Sequence, residues 1–168
     1  MKCIVFSDSH GSLQFMREAL IRNRDAEVVF FLGDGIYEAE ILAGEDSRRT
    51  WIAVKGNGDF YSEFNSHVLK KTESINLCGF NIALTHGDLF GVKCGNDGLL
   101  RFAKERNADI VLFGHTHVPI YKYFSAGEIN ERELHLFNPG SISVSQGSFG
   151  IMTIQKNVLF SHGNLLQN

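Results

Sequence analysis

Cysteine is scarce in this chain, with three among 168 residues. The number is odd and no Cys-x-x-Cys spacing occurs, which argues against a disulfide framework and against a thiolate-rich structural metal cage. Reduced thiols in a cytoplasmic protein are the simplest account, with Cys3 and Cys78 expected in the core and Cys94 exposed. Proline is scarcer still, at two residues. No Pro-rich linker, internal repeat or low-complexity stretch divides the chain, so residues 1–168 read as one domain, long enough to bury a single core. No apolar run approaches the length of a membrane span. Asp8 and His10 interrupt the first apolar run, Met1 to Phe6, too early for a secretory leader. Neither sign of charge dominates, since 16 Lys and Arg stand against 19 Asp and Glu. That balance leaves no electrostatic footprint for nucleic acid or an anionic membrane, and neither is expected as a partner. A hydrophobic share of 43% and a charged share of 21% exclude disorder.

What the chain does have is a series of apolar runs that end in metal-binding side chains. Cys3 to Phe6, Val28 to Leu32, Trp51 to Val54, Ile82 to Leu84 and Ile110 to Phe113 read as buried β-strands. They are followed by Asp8-Ser9-His10, Gly33-Asp34, Gly56-Asn57, His86-Gly87-Asp88 and Gly114-His115-Thr116-His117, and a sixth stretch is Asn138-Pro139-Gly140-Ser141. Side chains placed just past the carboxyl ends of neighbouring strands converge on one crevice. Two carboxylates, one amide oxygen and four imidazoles are the inventory of a two-metal hydrolytic site.

Helical spacing of Leu13, Met16 and Leu20 after the first strand, a weaker pattern near Tyr37 to Leu42, and Leu99, Phe102 and Ala103 after Asn96 or Asp97 predict three helices. The second half changes character. Val68 to Thr72, Ser74 to Leu77 and Phe80 to Leu84 read as successive strands, with Cys78-Gly79 as a turn. Ile120 to Phe124, Leu134 to Phe137, Gly150 to Ile154 and Val158 to Ser161 follow. Alternating β/α units plus a block of antiparallel strands imply an α/β (α+β) chain of two packed sheets, with helices on at least one outer face.

Each station has a plainer explanation when taken alone. Asp8 and His10 would share one face of an extended strand, but Asp-Ser-His also reads as a turn whose side chains bond to backbone. Asp34, directly after Phe30-Phe31-Leu32-Gly33, must be solvated, paired or metal-bound, or else caps the next helix. One carboxylate can bridge two ions roughly 3.5–4 Å apart, and Asp34 is the residue placed best for it. Asn57-Gly58 alone signals a type I′ turn. The alternative uses the Asn57 amide oxygen as a neutral ligand and its NH2 as a phosphate donor. A lone His is more often structural than ligating, yet His86, His115 and His117 all lie at strand ends, and with His10 they reverse that presumption. His67, His135 and His162 have no ligand neighbours and read as surface or structural residues. Asn138-Pro139-Gly140-Ser141 reads as a turn that shapes the crevice floor at most. The 14 Phe residues are most simply packing, while Phe60, Tyr61 and Phe90 are candidates for lining a substrate approach.

Taken in order, the stations resemble the signature of the calcineurin-like metallophosphoesterases: D-x-H, then G-D, then G-N-H-[DE], then H, then G-H-x-H. The resemblance spans nearly the whole chain and is strongest to the compact bacterial and archaeal phosphodiesterase branch. It implies a two-sheet β-sandwich flanked by helices. It also implies one metal held by Asp8, His10, Asp34 and His117, and a second by Asp34, Asn57, His86 and His115. Asp34, Asn57, His86 and His115 carry the catalytic roles in this reading. One departure stands out: Gly58 occupies the position where much of the family has the His credited with contacting the phosphate and protonating the leaving group. Asp59 matches the acidic position beside it.

The expected activity is metal-dependent phosphodiester hydrolysis of a small phosphoester, by a hydroxide that bridges two divalent ions. Mixed imidazole, carboxylate and amide ligation favours Mn, with Ni, Fe, Co or Zn as alternatives. Without a dedicated general acid, typically worth about 10²–10⁴-fold, esters with good leaving groups are favoured. The same family includes a eukaryotic retromer subunit that works chiefly as a protein-binding scaffold, so a catalytically silent binding module is the competing expectation. Exposed strand edges in a two-sheet fold also suggest a homodimer.

Overall fold

The computed structural model describes residues 1–60, 63–64 and 67–167. In chain order the first half contains β1 (Lys2–Phe6), α1 (Leu13–Arg22), β2 (Val28–Phe31), α2 (Ile36–Glu45), β3 (Thr50–Ala53), β4 (Glu63–Phe64), β5 (His67–Val68), β6 (Thr72–Leu77) and β7 (Phe80–Thr85). The second half contains α3 (Asp97–Glu105), β8 (Ile110–Leu112), β9 (Pro119–Phe124), β10 (Leu134–Pro139), β11 (Ser148–Ile154) and β12 (Val158–Asn164).

The strands form two mixed five-stranded sheets, ordered β12-β11-β1-β2-β3 and β6-β7-β8-β10-β9, with β4 and β5 as a separate short pair. In the first sheet β1, β2 and β3 run parallel, with β3 at the edge, and in the second β7, β8 and β10 run parallel at the centre; the remaining strands pair antiparallel. Period-2 alternation divides the apolar residues between two layers of core. Cys3, Val5, Phe30 and Leu32 point inward and meet Ile82, Leu84, Ile110 and Leu112 of the other sheet. Ile4, Phe6, Val29 and Phe31 point outward and are covered by Met16 and Leu20 of α1 and Ile36 and Leu42 of α2. Ala83 and Val111 of the second sheet receive Leu99, Phe102 and Ala103 of α3. Central strands covered on both faces need apolar side chains at every position, which is why β1, β2 and β8 read as unbroken hydrophobic runs. Phe30 is fully buried between the sheets, and Phe30→Ala would cost about 3–5 kcal/mol.

Register brings the strand ends together. Phe6 is level with Phe31, and Phe31 with Ala53. In the second sheet Leu84 is level with Leu112, and Leu112 with Phe137. The residues that follow these positions therefore emerge on one edge of the sandwich.

Several boundaries differ from the sequence expectation. Val68 belongs to a two-residue strand and β6 runs unbroken from Thr72, so no strand spans Val68 to Thr72. Asn138 and Pro139 continue β10 to its pairing with Ile120 and Pro119, and the chain turns only at Gly140, whose φ is 80°. Cys78 is exposed, because it occupies the turn between β6 and β7 with φ 51°. Cys3 is buried and Cys94 exposed, as expected. His135 is buried, its Nδ1 paired with the Tyr121 hydroxyl at 3.0 Å, and burial pushes its pKa down. Tyr61 lies outside the described residues.

Candidate metal centre

Six of the seven ligand candidates gather into two adjoining triads at the strand-end edge. Asp8, His10 and His117 form one, and Asp34, His86 and His115 the other, with the donor atoms of each within 4.8 Å of one another. The triads adjoin through His86, whose Nε2 lies 3.4 Å from Asp34 Oδ2 and 3.9 Å from Asp8 Oδ1. Within the first, His117 Nε2 lies 3.1 Å from Asp8 Oδ1 and 3.2 Å from His10 Nε2. Asn57 stands exposed in the loop after β3, flanked by two glycines that both press on Asp34.

Backbone conformation at these positions is unusual. Asp8, His10, Asp34, His115 and His117 all have φ between 44° and 66°. They are five of the seven non-glycine residues with positive φ among those described. Left-handed backbone is disfavoured for side-chain-bearing residues and clusters at functional sites, where the surrounding fold imposes it. Here the turn immediately after each strand rotates the carboxylate or imidazole back over the sheet edge.

The surroundings fix the orientation of each donor. His86 is fully buried, and its Nδ1 sits 2.8 Å from the Leu32 carbonyl, so the proton belongs on Nδ1 and the Nε2 lone pair faces the cluster. Asp8 Oδ2 accepts from the Ser7 hydroxyl at 2.6 Å and the His115 amide at 3.0 Å. Asp34 Oδ1 accepts from the Gly58 amide at 2.6 Å. Asp34 does not cap α2. That role falls to Asp59, which accepts the amides of Asp34, Gly35 and Ile36 at 2.8–2.9 Å and that of Gly56 at 2.8 Å. One carboxylate thus ties the loop after β2 to the loop after β3.

Neither Asn57 nor Gly58 has positive φ, so Asn57-Gly58 is not the type I′ turn its residues suggest. Glycine is needed at position 56 for space, because a Cβ there would run into the Asp34 side chain and amide. A Cβ on Gly114 would collide with Ser7 in the same way. The Asn138 amide donates to the Gly114 carbonyl at 2.9 Å and to Thr116 at 3.1 Å, and the Ser141 hydroxyl donates to the Asp8 carbonyl at 2.8 Å. Asn138 and Ser141 therefore brace the ligand turns from beneath. Ser7 and Leu32 carry no sequence signal for these roles, whereas Asn138 lies in the stretch expected at most to shape the crevice floor and Asp59 lies within the G-N-x-D stretch.

The electrostatics favour cations. Burial pushes the Asp34 carboxyl up, but hydrogen bonding and charge from His86, the Gly58 amide and the His10 charge outweigh it and hold the pKa at about 2. Burial pulls His86 down, while Asp34 and Asp8 pull it up further, leaving it raised. His115 is lowered by burial and by the His86 and Lys93 charges. The decisive atom is Asp8 Oδ1, which is buried and has no hydrogen-bond partner. A carboxylate oxygen sealed from water without a donor is costly, and the Nε2 atoms of His117, His10 and His86 lie 3.1, 3.9 and 3.9 Å from this one. A divalent cation supplies the missing partner, and imidazole-carboxylate donors suit such an ion. The residues present fit a metal.

The sequence matches the model of the calcineurin-like phosphoesterase superfamily domain over residues 1–157. It is 30% identical over 159 residues to the probable metallophosphoesterase YsnB of Bacillus subtilis, covering 92% of this chain and 85% of that one. It is 27% identical over 176 residues to the phosphodiesterase YfcE of Escherichia coli, covering 90% of this chain and 87% of the relative. Among solved structures, a Streptococcus pneumoniae protein described as a predicted phosphoesterase superposes with a TM-score of 0.73 at 29% identity, over 95% of this chain and 87% of the other.

Proposed function

The chain belongs to the calcineurin-like phosphoesterase superfamily, and from that premise we propose that it is a dinuclear, metal-dependent phosphodiesterase acting on a small phosphoester. The observation that carries this reading is the buried, partnerless Asp8 Oδ1 inside a ring of imidazoles. Asp8, His10 and His117 would hold one divalent ion. Asp34, His86 and His115 would hold the other, with Asp34 shared between them and the exposed Asn57 amide completing the second set. Mn is the ion we favour, with Ni, Fe, Co or Zn as alternatives for such mixed donors. When bound, the ions supply Lewis acidity toward phosphoryl oxygens and a nucleophile from water near neutral pH.

The chain's own residues do the rest. The Leu32 carbonyl keeps the His86 proton on Nδ1 and its Nε2 lone pair directed at the cluster. The Gly58 amide keeps Asp34 ionised and aimed. The Asn57 NH2 is free to donate to an oxygen on which charge builds. Gly58 offers no proton to the leaving group, so esters with good leaving groups should react best. A protein-binding scaffold of the same fold requires none of the hydrogen bonds that aim these donors. The three free thiols support a cytoplasmic setting, and among the described residues no helix is long and apolar enough to cross a membrane.

The test is direct. Chelator-stripped protein reloaded with Mn²⁺ should cleave aryl phosphodiesters and lose that activity when stripped again. If neither diesters nor monoesters are cleaved with any of these ions, the enzymatic reading is wrong.

A further inference from the structure

Phe60 is 97% exposed although it directly follows Asp59, a buried carboxylate at the centre of the ligand loops. Phe60 and Tyr37, which is 55% exposed, line one cleft of about 200 Å³ together with His10, Asp34, Gly35 and Gly58. That volume is below the range of a complete ligand site and suits one ring-sized arm of a substrate.

Gly58 lines the space, and a Cβ there would sit 3.1 Å from Asp34 Oδ1, so a side chain at this position would crowd the Asp34 carboxylate at the cleft wall. The missing His of the family motif thus leaves one wall of the cleft without a side chain. The lining also carries the carboxylates of Asp34, Glu38 and Asp59. Asp34 is committed to the metal centre and Asp59 to four backbone amides, so Glu38 is the carboxylate that disfavours an anionic arm and leaves a neutral aromatic one as the favoured occupant.

We propose that this cleft is an aryl subsite, in which the flat, uncharged aromatic arm that a phosphodiester retains after its leaving group departs rests against Phe60 and Tyr37, while its phosphate is bound by the ions that Asp34 and His10 would hold. The proposal rests on the phosphodiesterase reading and specifies its substrate class. It commits to a diester whose retained arm is aromatic over one whose retained arm is alkyl and over a doubly charged monoester.

The experiment compares two esters with the same leaving group, p-nitrophenyl phenyl phosphate and p-nitrophenyl methyl phosphate, on Mn²⁺-loaded full-length protein. Wild type should favour the phenyl ester. Phe60→Ala should raise KM for the phenyl ester about tenfold, the scale of one lost aromatic stack, and change the methyl ester little. Phe60→Trp should keep the preference, and Gly58→His should erode it by filling the cleft. Calorimetry gives a readout independent of turnover: phenylphosphonate should bind more tightly than methylphosphonate, and Phe60→Ala should remove that difference. Hydrolysis of both esters without preference, or equal loss of both in Phe60→Ala, overturns the subsite and leaves the phosphodiesterase standing. Failure to cleave either ester overturns the phosphodiesterase reading, and with it this proposal.

Discussion

His86 is sealed from solvent and tied across the sandwich to the Leu32 carbonyl, whereas the side chains of His10 and His117 are 45% and 37% exposed and meet chiefly each other and Asp8. The two triads share a cleft but are supported differently. In the inner one, Asp34 is held by Gly58 and its loop by Asp59, so both sheets contribute to a preset geometry. In the outer one only Asp8 has comparable support, from Ser7 and His115. Preset donors bind with less ordering cost, so the inner triad should bind its ion more tightly, and the outer ion should exchange more readily.

The strongest way to break that contrast is Asp34→Asn, which keeps the shape and removes the charge. We expect turnover of an aryl diester to fall by more than the about 10–100-fold typical of disturbing an outer-shell partner, with the fold intact by circular dichroism. A fully active Asn variant would remove Asp34 from the centre.

Asp59→Asn should cost about 10–100-fold in activity or inner-site metal affinity, although Asp59 belongs to neither triad. Competitive metal titration followed by calorimetry should show the tight step weakened more than the loose one. Two equal steps in the wild-type protein would remove the asymmetry itself.

A smaller effect separates the histidines by stability. In chelator, His86→Ala should lower urea stability by about 1–3 kcal/mol, because it leaves the buried Leu32 carbonyl unpaired. His10→Asn, which tolerates the φ of 44°, should stay within about 0.5 kcal/mol, as expected of a surface position. Equal losses would mean that the outer triad is as deeply embedded as the inner.

The smallest effect is in pH. In metal-free protein the Asp34 pKa of about 2 lies below its ordinary 3.8. Its stabilisation is therefore present above about pH 4 and disappears as pH falls toward 2. His86 is raised above 6.5, so its contribution is present below that value and is lost as pH rises through its folded pKa. Metal-free stability should thus be greatest between about pH 4 and 6.5 as far as this pair is concerned, and Asp34→Asn should flatten both sides. Urea midpoints across that range, with chelator present, measure it.

Much of this arrangement was legible in the sequence because the central strands are covered on both faces. An apolar run such as Val28 to Leu32 that stops at a carboxylate marks both a strand and its end. The order of the stations carried the fold along with it. What was hidden depends on contacts between distant segments. Asp59 gives no sign of accepting amides from the loop 25 residues earlier. Asn57-Gly58 suggests the wrong turn, because spacing does not reveal that Asp34 crowds the neighbouring glycine. Cys78 reads as core because it follows an apolar strand, yet the hairpin turn places it outside. Asn138-Pro139 reads as a loop, but Pro139 ends its strand opposite Pro119, where the proline needs no ladder donor.

The left-handed backbone at the ligand positions limits how this centre can be redesigned. Asp, Asn and His tolerate that conformation better than most residues, and they are also hard or borderline metal donors. Exchanging His10 or His117 for Cys, to draw the centre toward softer ions, would change the chemistry and also place a less tolerant residue on a φ of 44° or 59°. Metal preference and chain geometry are therefore inherited together at these positions. Altering His86, the one of the four ligand imidazoles outside the left-handed region, would change the donor without that backbone penalty, and it is the position from which to begin.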